Sequence, residues 1–112
     1  ELRELSLSDN FLNGTVPHEL SELTHLEELN LGTNSLSGSI PHQLSALTQL
    51  TSLDLQHNQL SGTIPPELAG LTQLTWMDLW GNDLTGTVPP ALCERQDLIL
   101  LIENDVKRSC SS

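Results

Sequence analysis

Two sets of residues have types and spacings that could do chemistry. His18 and His42 stand 24 residues apart, each directly after a proline. Stacked imidazoles could supply half of a tetrahedral metal site. Pro66 and Pro90 occupy the matching positions further along, so no third ligand recurs and the pair reads as solvated surface. The second set is Trp76, Asp78 and Trp80, alternate residues of one short stretch. Two exposed indoles beside a carboxylate have the composition of an interaction hot spot or a sugar-stacking platform. The chain has no phosphate-cradling glycine loop, no paired-cysteine metal signature and no nucleophile elbow. A non-enzymatic protein without cofactor or metal is therefore expected.

The 112 residues include 15 acidic and 4 basic side chains, a formal charge of -11. Such a chain repels phosphate backbones and anionic headgroups, which excludes nucleic acid and disfavours a membrane surface. No segment approaches the roughly 18 apolar residues of a membrane helix. The most apolar run, Leu98 to Ile102, is the length of a strand.

The elements that must position these side chains follow from a repeat. Asn10, Asn34, Asn58 and Asn82 recur every 24 residues, as do Gly14, Gly38, Gly62 and Gly86 and then Pro17, Pro41, Pro65 and Pro89. Leu26-Leu29-Leu31, Leu50-Leu53-Leu55 and Leu74-Met77-Leu79 fill the frame between them. Leu29 and Leu31 alternate with Asn30, the period of a strand with one face inward. An asparagine side chain donates and accepts, so it can bond the backbone of the turn leaving that strand. Glycine permits the next tight bend, and proline ends the extended step and opens a short helical return. One such coil cannot bury its apolar face alone, whereas four stacked coils share a continuous core.

The frame L-x-x-L-x-L-x-x-N-x-L-x-G-x-I/V-P, read here as LEELNLGTNSLSGSIPHQLSALTQ over residues 26–49, resembles the plant-type leucine-rich repeat. Similar repeats build receptor-kinase ectodomains, polygalacturonase-inhibiting proteins and secreted algal proteins. The resemblance implies an α/β solenoid: a right-handed superhelix with a parallel sheet on its concave face and short 3₁₀ or helical segments on the convex side. It also implies a second short strand at the Gly-x-Ile-Pro step. Residues 1–97 read as four repeats and 98–112 as a C-terminal capping segment. Leu98 keeps the frame, 24 residues after Leu74, which sets Glu103 at an inward leucine position and turns Leu100 and Ile102 outward. Leu2, Leu5 and Leu7 open the first repeat with no lid before them, so further sequence upstream is expected.

Cys93 and Cys110 flank the capping segment. Paired capping cysteines are usual in secreted members of the resembled family, and a bridge here would stabilise by about 3 kcal/mol. Two free thiols are the alternative. Asn13-Gly14-Thr15 is a glycosylation sequon on the turn after the first strand, unless the repeat alone dictates Gly14 and Thr15. Bridge and sequon together point to a secreted or cell-surface protein.

Across repeats the outward strand residues form columns on the concave face: Glu4, Glu28, Ser52 and Trp76; Ser6, Asn30, Asp54 and Asp78; Ser8, Gly32, Gln56 and Trp80. The expected binding set is Trp76, Asp78, Trp80, Asp54, Gln56, His57 and Glu28. Its negative charge favours a basic partner, a protein or a glycan. Alternatively Leu100 and Ile102 of the cap pack over the tryptophans. The leading expectation is an extracellular ligand-recognition module. A structural or adhesive element, with self-association, is the second. Ice binding is the third, through the hydroxyl rows of Thr15, Ser39, Thr63 and Thr87 beside Asn13, Ser37, Ser61 and Thr85.

Overall fold

The computed structural model describes residues 1–103 and 107–108. It is a solenoid whose coils each contribute one strand to a parallel five-stranded sheet. The strands are β1 (Glu4–Ser6), β3 (Glu28–Asn30), β5 (Ser52–Asp54), β7 (Trp76–Asp78) and β10 (Ile99–Leu101), in that spatial order. Leu29, Leu53 and Met77, at the strand centres, point inward and are buried, while their neighbours face outward. Consecutive Leu-x-Leu pairs therefore stack into one core that includes Leu26, Leu50, Leu55, Leu74 and Leu79.

After each asparagine the chain forms a second, shorter strand. β2 (Asn13–Thr15), β4 (Ser35–Gly38), β6 (Gln59–Gly62) and β8 (Asp83–Leu84) make a parallel four-stranded sheet. Asn13 thus sits on an exposed edge strand and not on the expected turn, because its backbone registers with Ser35 of β4. The glycines at the ends of β4 and β6 explain the sharp exit: Gly38 and Gly62 both have φ of 78°, where a side chain is strained. Pro17, Pro41 and Pro65 then stand in extended conformation just before 3₁₀ turns at His18–Glu22, His42–Ala46 and Pro66–Gly70. The last coil replaces this turn with a short α-helix, α1 (Pro90–Cys93), after the two-residue strand β9 (Thr87–Val88); the backbone of β11 (Lys107–Arg108) pairs with β9.

The last strand departs from the sequence expectation. β10 pairs Ile99 with Trp76, Leu100 with Met77 and Leu101 with Asp78. The coil is one residue short of the frame, and a one-residue slip turns every side chain to the other face of the sheet. Leu100 and Ile102 are therefore inward and buried, not outward, and they do not lie over the tryptophans. Glu103 leaves the core and accepts a hydrogen bond from the Gly81 amide. The physical reason is the content of the two registers. Keeping the frame would bury a carboxylate, whereas the slip buries two aliphatic side chains. Arg95, which stands where a leucine is expected, turns its guanidinium onto the preceding coil. It donates to the carbonyls of Leu71 at 2.9 Å and Leu74 at 2.7 Å, with Asp97 holding it at 3.1 Å.

Candidate ligand-binding face

The outward residues of the five-stranded sheet are set by its register. One row runs Glu4, Glu28, Ser52, Trp76 and Ile99, and the next runs Ser6, Asn30, Asp54, Asp78 and Leu101. Ladder bonds continue one step beyond the strands, from Asp9 N to Gly32 O, Thr33 N to Gln56 O and His57 N to Trp80 O, so Gly32, Gln56 and Trp80 form a third row. The expected binding residues Asp54, Gln56, Trp76, Asp78 and Trp80 come together on β5 and β7. Glu28 lies one strand further away on β3, and His57 sits at the turn leaving β5.

The second row shows how each coil closes its own polar groups. Asn30 Oδ1 accepts the Gly32 amide at 2.9 Å. Asp54 uses both oxygens within the fold: Oδ1 accepts Gln56 N at 3.1 Å, and Oδ2 accepts Gln56 Nε2 at 3.0 Å. Asp78 Oδ1 accepts Trp80 N at 3.1 Å, but an indole at position 80 has no amide to offer the second oxygen. Asp78 is only 7% exposed. Burial raises its carboxyl pKa above the ordinary aspartate value, and the Asp54 charge raises it further; the Trp80 amide and His57 oppose the shift. Around this carboxylate four apolar side chains remain open: Trp76 37%, Trp80 42%, Ile99 54% and Leu101 36% exposed. Ile99 and Leu101 escape the 24-residue frame; comparing the charge buried in each register is the signal that finds them.

Three further features frame the site. His57 is left-handed with φ of 55°, like Asp9 and Thr33 at the matching turn positions, and the fourth such position is Gly81. A Cβ on Gly81 would lie 2.5 Å from His57 Nδ1, so the imidazole rests against the glycine and would have to shift for any larger residue. The asparagines lie just beneath. Asn58 Nδ2 donates to the carbonyls of Leu31, Leu55 and Gln56, and its Oδ1 accepts Leu36 N. Asn34 and Asn82 repeat the pattern, and Asn10 bonds the carbonyls of Leu7 and Ser8.

His18 and His42 open consecutive 3₁₀ turns and line one groove with Thr15, Ser39, Pro41 and Gln43. Among the described residues no group of three or more His, Cys, Asp or Glu side chains could hold a metal. Cys93 packs partly buried against the core at the end of α1, and Cys110 lies outside the described residues. None of the described helices is long and apolar enough to cross a membrane.

The leucine-rich repeat model matches residues 1–60, and a second model of the same repeat matches 73–94. The chain belongs to the leucine-rich repeat family. Its five-stranded sheet is the concave face of that solenoid. No curated protein sequence matches the chain. Among solved structures it is similar to the plant peptide hormone receptor RGFR1 in complex with RGF2, at 36% identity and TM-score 0.84 over 97% of this chain and 17% of that one. The BIR3–SERK2 complex from Arabidopsis thaliana contains a chain 36% identical, TM-score 0.84, matched over 97% of this chain and 59% of that one. A plant ice-binding protein is 34% identical, TM-score 0.87, over 97% of this chain and 35% of that one. This leucine-rich-repeat chain therefore spans less than two thirds of each of these three.

Proposed function

We propose that this leucine-rich-repeat chain is a non-enzymatic recognition module that captures a protein or peptide on the concave face of its last coils, outside the cell. The observation that carries this reading is the ring of exposed Trp76, Trp80, Ile99 and Leu101 around a buried carboxylate. A repeat frame needs no aromatic residues there, and both tryptophans of the chain stand in that ring. Exposed aromatic clusters of this kind are the anchors of protein interfaces. The likeness to a receptor solved with RGF2 and to a complex of two proteins supports a protein or peptide partner over other classes. In this reading residues 98–112 cap the solenoid, Cys93 and Cys110 form a bridge that closes the cap, and Asn13, exposed on β2, carries a glycan. Selection of a displayed random-peptide library on the intact protein tests it. Selected peptides should lose binding to the Trp76→Ala/Trp80→Ala double variant, which should remain folded by circular dichroism. Peptides indifferent to both substitutions overturn the reading.

A second reading, ice binding, is favoured by one observation besides the ice-binding structure that the chain resembles. Thr15, Thr63 and Thr87 are exposed and recur at multiples of the repeat spacing, on or just beyond the short strands of successive coils. Faceted ice growth in the presence of the protein, lost in Thr63→Tyr, would support it; unshaped crystals at high concentration would exclude it.

A further inference from the structure

Resting on the concave-face reading, we infer that the ligand's anchor is a single basic side chain, arginine in preference to lysine, set over Asp78 between Trp76 and Trp80. The hydrogen-bonding capacity of the face leads there. Asp54 spends both oxygens on Gln56, and Asn30 spends its oxygen on Gly32. Asp78 keeps one carboxylate oxygen that bonds none of the described residues, although the residue is 93% buried (7% exposed). No unsatisfied side-chain oxygen is fully enclosed among the described residues, so this oxygen reaches the surface, from the strand position between Trp76 and Trp80.

The chemistry of the rim then selects the ligand. Asp78 offers a carboxylate acceptor that no described residue bonds, and its charge calls for a cation. A guanidinium is the complementary group, with five donors and no acceptor. Along a strand, residues two apart lie about 7 Å apart, so an indole stands on each side of the carboxylate at a distance where a planar cation can stack on one face while it bonds the acid. Leu101 and Ile99, turned outward by the slipped register, shield the pair from water on the side of β10. On the other side Asp54 adds a second negative charge one strand away, so a cation also relieves repulsion between two acids. Among the described residues no lysine or arginine stands in the three rows to compete.

The library selection described above carries the test, with Trp76 and Trp80 as built-in fluorophores. Peptides selected on the intact protein should share one arginine or lysine. Replacing that arginine with citrulline, equal in shape but uncharged, should weaken binding at least tenfold as read by tryptophan fluorescence. The Asp78→Asn variant should lose the same factor while keeping its melting temperature within a few degrees or raising it. Asparagine is accommodated here, since Asn30 makes the equivalent bond to Gly32 in an earlier coil. Peptides that need the tryptophans but tolerate both citrulline and Asp78→Asn would overturn the inference and leave the concave-face reading standing. Peptides indifferent to the tryptophans would overturn both. An oligosaccharide array giving tryptophan-dependent binding of neutral glycans would also overturn the inference.

Discussion

The coil around β5 and the coil around β7 share a frame and differ in what they leave undone. In the first, Asp54 and Gln56 satisfy each other, and Asn58 joins three carbonyls and an amide while almost fully buried. Both oxygens of the acid are spent. In the second, Trp80 replaces the glutamine, Asp78 keeps an oxygen that no described residue bonds, and the neighbouring strand slips by one residue to leave Ile99 and Leu101 exposed. A regular coil spends its chemistry on stacking. A coil that departs from the pattern retains chemistry for a partner.

The largest expected effect tests the slip itself. Leu100→Asp should destabilise by at least about 4 kcal/mol in urea unfolding, because it drives a charge into the core, while Leu101→Asp on the open face should change stability by under about 1 kcal/mol. Equal effects would remove the difference between the two coils. The next contrast lies within the asparagine ladder. Asn58→Ala strands several buried backbone groups and should cost about 3 kcal/mol, whereas Asn10→Ala, with two exposed bonds, should cost under about 1 kcal/mol. Arg95→Met should lower stability by about 2 kcal/mol through lost charged bonds to Leu71 and Leu74.

Two carboxylates add smaller effects of opposite sign. Hydrogen bonding to Arg95 holds Asp97 below the ordinary value, so its contribution is present at neutral pH and lost as pH falls. Arg95→Met should remove that acid sensitivity. Asp78 is raised by burial, so the native state binds its proton more tightly than the unfolded chain. Its favourable contribution is present in acid and lost as pH rises through the raised value. Asp78→Asn should therefore raise the melting temperature slightly at neutral pH, and the gain should shrink as pH falls through the raised value toward the ordinary aspartate value.

The solenoid was legible in the sequence because its fixed positions answer backbone needs. The asparagines supply donors and acceptors for a turn, and the glycines permit left-handed φ at Gly14, Gly38, Gly62 and Gly86. The other left-handed position was invisible, since Asp9, Thr33, His57 and Gly81 share no residue type. Trp76 and Trp80 stood out as departures from the frame. Their neighbours Ile99 and Leu101 did not, because Leu98 falls on the 24-residue spacing and conceals a coil that is one residue shorter. Glu103 held the correction: a register that buries it is unfavourable by more than the spacing of one leucine can offset.

The asparagine bonds also have a direction. Asn34, Asn58 and Asn82 each serve their own coil and the one before it, through Leu12 N and Leu7 O, Leu36 N and Leu31 O, and Leu60 N and Leu55 O. None reaches forward. A fault at one asparagine therefore loosens its own turn and its predecessor's while its successor stays clamped. Opening events in this stack should travel like a zipper with a preferred sense, toward lower residue numbers, and hydrogen exchange after Asn58→Ala should rise at Leu36 before it rises at Leu60.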